Sequence, residues 1–362
     1  MRDDLKYWVA LSTNLNIGAR TFQKLYAAFS DMEKVWNAGE AELRQKGLDP
    51  KIIANVRQVK ASKNPSEELE KIYKLNIHAI TYLDTEYPAL LKEIPDCPAL
   101  LYLKGKLLPA DNLSLAVVGS RRFTDYGARV VKQIVEPLAN AGLAIVSGLA
   151  LGIDALSHRA ALNCKGRTIA VLGNGLDHIY PESNRNLANQ IIYSGGAVLS
   201  EFPVGTPSFK QNFPFRNRII AGMSLGTLVI EAALESGSLI TARAALDYNR
   251  DVFAIPGEIF SNNSEGPNNL IKMGAKTVTE ADDVLKELNI DVMAKQNYVK
   301  EIIPDTKEEA QLLAILSKVP VHIDKLVEIS KLDIVKINQT LTMMEMKGKV
   351  RNLGGNQYII NQ

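Results

Sequence analysis

The chain has 362 residues, 46% of them hydrophobic and 23% charged, with mean hydropathy near zero. That profile fits a folded protein of two or three modules and excludes a disordered chain. No stretch approaches the roughly 18 uninterrupted apolar residues of a membrane span, and the opening Met-Arg-Asp-Asp-Leu-Lys lacks an apolar export segment. A cytoplasmic protein with no membrane partner is expected. Cys97 and Cys164 have no Cys or His at ligand spacing, so neither a disulfide framework nor a metal site is expected. With 42 basic against 40 acidic side chains the net charge is +2, so a polyanion would have to be held by local clustering.

Residues 1–61 read as a small helical module: Phe22, Leu25, Tyr26 and Phe29 recur at helical spacing, and Asp49-Pro50 supplies an N-cap and a proline at N1. The Gly18 turn resembles a helix-hairpin-helix or SAM-like arrangement, and plain packing of short helices accounts for the same turn. Residues 62–110 read as a linker and a proline-punctuated lead-in that packs on the domain after it. From 111 to 288 short apolar runs end near glycine and are followed by helical patterns, with strands predicted at Leu115–Val118, Leu143–Val146, Thr168–Leu172, Ala197–Leu199, Leu228–Ile230, Val252–Ile255 and Lys276–Val278. This is an α/β domain with a Rossmann-like, doubly wound, mostly parallel sheet. After a linker over 289–305, residues 306–362 read as a winged helix, with helices at Glu308–Leu316, His322–Ile329 and Val335–Met346 and strands at Val350–Leu353 and Gln357–Ile360.

In such a sheet, ligands sit beyond the carboxyl ends of the strands. Three exits are glycine-rich: Gly119-Ser120-Arg121-Arg122, Ser147-Gly148, and Gly173-Asn174-Gly175. Glycine there would let an anion approach the loop amides, which favours phosphate binding. No G-x-G-x-x-G fingerprint and no P-loop is present, so ordinary NAD or ATP binding loses support and no cofactor is expected. Lys210-Gln211-Asn212-Phe213-Pro214-Phe215-Arg216-Asn217-Arg218 holds three cations, no acid and two interleaved aromatics. Arg216 and Arg218 could pair with phosphates while Phe213 or Phe215 stacks on an unpaired base. A solvated arginine face over core phenylalanines is the plain alternative. Asp154, expected as an N-cap, Glu201 and Glu231 read as structural, as does His158, and no catalytic constellation emerges from spacing.

These residues strongly resemble the DprA/Smf family. The ordered motifs are Val118-Gly119-Ser120-Arg121, SGLALGIDALSH from Ser147 to His158, LGNGLDHIYPESN from Leu172 to Asn184, EFPVGTP from Glu201, FPFRNRIIAG from Phe213, SGSLITA from Ser236 to Ala242, and AIPGE from Ala254. Asn249 stands where relatives more often have glycine, and asparagine is the next best residue for a left-handed helix end. The resemblance implies a non-enzymatic, homodimeric protein that binds single-stranded DNA, protects it and loads RecA recombinase during natural transformation. By motif match the strand would contact Gly119, Ser120, Arg121, Arg122, Ser147, Gly148, Lys210, Phe213, Arg216, Asn217 and Arg218. Two other readings compete with it. Gly226-Thr227 before Glu231 resembles the G-T-x-x-E of phosphoribohydrolases, with the glutamate one residue late. A winged-helix transcription regulator is the other, but the helix from Val335 to Met346 carries only one cation, Lys336.

Overall fold

The computed structural model describes residues 2–290, 305–316, 321–347, 349–352 and 356–360. The chain divides into two compact units, residues 1–290 and 291–362.

The first unit is organised by a nine-stranded sheet: β1 (His78–Thr81), β2 (Leu100–Gly105), β3 (Ser114–Val118), β4 (Ala144–Ser147), β5 (Thr168–Val171), β6 (Ala197–Ser200), β7 (Gly226–Val229), β8 (Asp251–Ala254) and β9 (Lys276–Thr277). Their order across the sheet is β1-β2-β6-β5-β4-β3-β7-β8-β9. The strands from β3 to β9 pair in parallel, while β2 runs antiparallel to both β1 and β6. Alternation decides the layers: Ala116 and Val118 of β3 face one core with Val146, Val171 and Ile219, while Leu115 and Val117 face the other with Ile134, Leu138 and Phe253. A strand buried on both faces reads as one apolar run, which is why the parallel strands are legible in the sequence.

The helices are α1 (Leu5–Ser12), α2 (Ala19–Phe29), α3 (Met32–Asn37), α4 (Glu40–Gln45), α5 (Pro50–Ser62), α6 (Pro65–Lys74), α7 (Ala89–Lys92), α8 (Asp125–Val130), α9 (Glu136–Asn140), α10 (Ile153–Asn163), α11 (Arg185–Tyr193), α12 (Asn212–Gly222), α13 (Gly237–Asp247), α14 (Asn262–Lys272) and α15 (Ala281–Glu287). A π-helical turn over Val131–Val135 joins α8 to α9. At the end of α13, Asn249 has φ 55°, the left-handed conformation for which asparagine is suited.

Two parts of the lead-in differ from expectation. Asn64 and Pro65, read as linker, cap and open α6, with the Asn64 side chain accepting from the Ser66 amide. Residues 78–105 supply β1 and β2; β2 finds its second partner, β6, almost a hundred residues later, a pairing that no local pattern announces. The helices before β1 do not close a core among themselves alone. Trp8 is fully buried and stacks on Phe22 at 5.2 Å, its Nε1 donates to Asp4 at 3.1 Å, and the same cluster continues through Leu100, Tyr102, Leu172 and Val198 of the sheet region. Ser12 Oγ and Tyr102 Oη meet at 2.6 Å between α1 and β2.

The second unit packs α16 (Lys307–Leu313), α17 (Ile323–Ser330) and α18 (Ile334–Met346) with a small antiparallel sheet of β10 (Val321–His322), β12 (Gln357–Ile360) and β11 (Val350–Asn352), in that order. Leu312, Leu326, Ile337, Leu341, Met344 and Tyr358 form its core. The expected strand residue Leu353, the Gly354-Gly355 turn and most of the 289–305 linker lie outside the described residues.

Truncating Trp8 to alanine removes the plug between the N-terminal helices and the sheet. Denaturant unfolding of Trp8→Ala should show stability lower by about 3–5 kcal/mol, with helical and sheet signals of the first unit lost together.

Candidate functional site

The chain leaves β3 toward β4 on one side of the sheet, and β7 later begins the outward series on the other side. Crossovers that diverge from a neighbouring pair of strands leave a crevice beyond their carboxyl ends. Here that crevice is an open cleft of about 480 Å3. The β3 exit forms one lip with Ser120, Arg121 and Arg122, α12 supplies Phe213, Arg216 and Asn217, and the first turns of α13 close the far side.

The expected residues take unequal places around this cleft. Arg121 and Arg122 are exposed on the lip. The lip is held by Ser120, whose Oγ accepts from the Arg122 amide at 3.0 Å, and by Asn263 Nδ2 donating to the Arg122 carbonyl at 2.8 Å. Phe213 is half-buried, with the Arg121 and Arg216 guanidinium carbons 5.6 and 5.9 Å from its ring centroid and the Tyr180 ring 5.8 Å away. Lys210 stands exposed on the turn before α12. Tyr180 is absent from the expected site residues; in the sequence it appears only as part of the LGNGLDHIYPESN motif, with no stretch of cations beside it.

Arg216 corrects the expectation of a solvent-facing phosphate ligand. It is only 4% exposed. Its Nη1 donates to the carbonyls of Gly148, at 2.7 Å, and Val171, and its Nε donates to Asn217 Oδ1 at 3.1 Å. Burial lowers its pKa to about 10, with the nearby Asp154 carboxylate acting in the opposite direction. Asn217 uses its own Nδ2 to hold the Gly237 carbonyl at 3.1 Å, locking α12 to α13. Arg218 points elsewhere: it pairs with Glu201, donates to the Asp96 carbonyl at 2.6 Å and lines a different cleft with Phe215. The arginines two residues apart on α12 therefore do not act as a pair.

The glycine loops are also differently used. A Cβ on Gly119 would lie 2.7 Å from the Ile153 side chain, and one on Gly148 2.6 Å from the Arg216 guanidinium. At Gly173 a Cβ would meet the Phe213 ring at 3.1 Å. These positions are small because protein packs against them, not because an anion needs their amides. The Ser120 amide already donates to the Glu231 carbonyl at 2.6 Å, and the Gly148 amide to Asp154 Oδ2 at 3.2 Å. Ser147 is fully buried, its hydroxyl donating to the Val117 carbonyl at 2.6 Å. Gly119, Ser147 and Gly148 thus support the site from beneath.

The acidic residues are structural here, as the spacing implies, though Asp154 is not the N-cap of α10. That position is Gly152, and the Asp154 carboxylate instead ties back the β4 exit from within the first turn. Burial pushes the Asp154 carboxyl up, against the pull of Arg216. Glu231 is buried and accepts from both the amide, at 2.9 Å, and the hydroxyl of Thr124, the N-cap of α8. That geometry leaves Glu231 committed to the loop rather than displayed as a phosphoribohydrolase glutamate would be. Among the described residues no cluster of His, Cys, Asp and Glu could hold a metal, and no helix is long and apolar enough to cross a membrane.

His158 is fully buried under the site, its Nδ1 2.6 Å from Thr168 Oγ1. Because that hydroxyl gives its proton to the Ile145 carbonyl, the ring nitrogen is the donor. Burial, with the Arg216 and Arg159 charges adding to it, lowers the His158 pKa to about 3 from an ordinary 6.5. The unfolded chain takes up a proton below pH 6.5 that the folded chain refuses until about pH 3. Stability should therefore fall with acid across that window by up to ~1.4 kcal/mol per pH unit, and His158→Asn should flatten this slope in urea titrations at successive pH values. Arg216→Ala, which orphans the Gly148 and Val171 carbonyls, should cost about 3–5 kcal/mol by the same measurement.

Residues 78–289 match the family of DNA recombination-mediator protein A, and residues 300–356 match the DprA winged helix domain. The chain is 34% identical to Protein Smf of Synechocystis sp., over 97% of this chain and 98% of that one. The X-ray structure of DNA processing protein A from Streptococcus pneumoniae superposes with a TM-score of 0.66 at 38% identity, covering 78% of this chain and 97% of that one. A structure of DNA processing protein A from Helicobacter pylori, reported for its unique single-stranded DNA binding mode, superposes at 0.53 with 31% identity, covering 59% of this chain and 95% of that one. Matched by one family over more than half its length and by one relative from end to end, the chain belongs to the DprA/Smf family of DNA recombination-mediator proteins.

Proposed function

We propose that this protein binds single-stranded DNA across the cleft at the β3 exit, shields it, and as a homodimer delivers it to RecA recombinase during natural transformation. The observation that carries this reading is the Phe213 ring flanked by the Arg121 and Arg216 guanidiniums at the mouth of an open cleft. A base has a π-face that lies on an arene or on a guanidinium plane, and a phosphodiester needs mobile cations nearby. Arg121 meets both needs because it is exposed: its guanidinium extends the Phe213 stack outward, and a base can lie on it or take its place. Arg122 and Lys210, also exposed, supply charge to the backbone on either side. Arg216 acts as a positioning residue, since its donors are spent on carbonyls. The Helicobacter pylori relative reported for its single-stranded DNA binding supports the same ligand.

Duplex DNA hides the faces of its bases, so an aromatic platform discriminates in favour of unpaired strands. The role is one of binding and hand-over, with no covalent step. Few contacts per protomer give moderate affinity, and a dimer that holds one strand at two sites gains avidity.

Fluorescence anisotropy with labelled oligonucleotides across a salt series tests this. Single strands should bind more tightly than duplex, with a log–log salt slope of about 0.7 per neutralised phosphate. Phe213→Ala should weaken binding roughly 5- to 150-fold, the equivalent of ~1–3 kcal/mol for one lost stack. Arg121→Glu with Arg122→Glu should weaken it further and reduce the salt slope while leaving circular dichroism unchanged. Equal affinity for duplex and single strand, insensitive to Phe213→Ala, would sink the assignment.

A further inference from the structure

The SGSLITA segment, Ser236 to Ala242, has no part in the stacking platform, yet it forms the far side of the same cleft. Ser236 is the N-cap of α13, and its hydroxyl accepts from the Ser238 amide at 3.4 Å and meets the Ser238 hydroxyl at 2.7 Å. Gly237 is the first helical residue. Its backbone is not in the left-handed region, and a Cβ built on it meets nothing within 4 Å. Neither conformation nor packing within the protein demands glycine there, unlike Gly119 and Gly148. One turn further on, Thr241 is 1% exposed and lines the cleft, and among the described residues its hydroxyl has no hydrogen-bond partner. A buried hydroxyl left without a partner is unfavourable, so this one points to a partner that arrives with a ligand. The Gly237 carbonyl, a natural acceptor for a helical threonine four residues on, is occupied by Asn217.

From these observations we infer that the first turn of α13 is a phosphate seat, in which the Gly237 amide and the Ser238 and Thr241 hydroxyls receive one phosphodiester of the bound strand. The inference rests on the single-strand reading of this cleft and deepens it by naming the subsite that holds the backbone. An eleven-residue helix presents its positive end at this turn. Across the cleft stand Arg121 and Arg122, and the lining as a whole sets Arg121, Arg122 and Arg216 against Asp154 and Glu235, leaving one positive charge in excess. The missing Cβ at Gly237 is the space through which a phosphate oxygen approaches the amide. A nucleotide whose base lies on the Phe213 side thereby has its phosphate gripped from the opposite wall, which fixes the direction in which the strand crosses the rim.

The test is Gly237→Ala, together with Thr241→Val and Thr241→Ser. Because the alanine Cβ enters open space at a helical position, the melting temperature of Gly237→Ala should hold or rise. Its affinity for a labelled oligothymidylate should nonetheless fall roughly ten-fold, with the salt slope little changed, because the lost donors carry no charge and release no counterion. Thr241→Val should weaken binding in the same way and Thr241→Ser should restore it. Competition with thymidine monophosphate and with inorganic phosphate separates the sources of the anion: displacement only at concentrations far above those of the oligonucleotide means a strand phosphodiester, and displacement by phosphate alone at comparable concentration would overturn the assignment to DNA. If wild type binds oligothymidylate and Gly237→Ala and Thr241→Val bind it equally well, the seat is refuted while the stacking site stands. If wild type does not bind single strands at all, the reading of the whole cleft falls.

Discussion

A guanidinium held out of water organises the rim of this sheet. Desolvating a charge costs several kcal/mol unless fixed partners replace the lost water, and Arg216 finds them in the carbonyls of Gly148 and Val171 and the side chain of Asn217. Those carbonyls belong to the exits of β4 and β5, so one side chain from α12 closes two loops at once. The arrangement dictates its surroundings: position 148 must lack a Cβ, and an acid, Asp154, stands close enough to offset the charge. The ring of Phe213, three residues before Arg216 on the same helix face, is thereby set at the mouth of the cleft.

The remaining side chains of α12 obey the same helix geometry. Residues 213, 216 and 217 lie on one face, toward the sheet rim and α13, while Arg218 turns about a hundred degrees away and enters a different network. That network is itself demanding. Arg218 neutralises Glu201, whose carboxyl is pushed up by burial, and reaches Asp96, to which Tyr248 donates at 2.8 Å. The two arginines that look alike in sequence therefore perform two structural tasks, while Arg121, Arg122 and Lys210 stand exposed. A chain with a net charge of +2 can hold a polyanion only by sparing a few cations in this way.

Three lysines of the winged-helix unit are held in ion pairs, while Lys325, Lys331 and Arg351 are exposed. Lys347 and Lys349 converge on Asp305 and the nearly buried Glu309, and Lys336 pairs with Glu308. Glu309 sits well below the usual carboxylate range although burial works against it, because both lysines donate to it. These pairs clamp α16 to the end of α18, which leaves the exposed side of α18 with Val335, Asn338, Gln339 and Met343 and little positive potential. That surface is suited to apolar and hydrogen-bonding contacts rather than to the phosphates of a duplex.

The amino-acid sequence by itself determined the α/β class, the parallel strands from β3 to β9 and the winged helix, because continuous apolar runs, glycine exits and helical spacing are local signals written within a few residues. It also marked the structural character of Glu201, Glu231 and His158. Only the tertiary structure decided that β2 joins the sheet beside β6, that Arg216 turns inward, that Arg218 belongs to Glu201 and Asp96, and that the glycines of the β3, β4 and β5 exits make room for protein atoms. The physical reason is the same in each case. A glycine spared for a ligand and one spared for a neighbouring side chain have the same letter, and an arginine facing water differs from one capping carbonyls only in what lies across from it. Those partners are brought together by chain closures of tens of residues, which no local pattern encodes.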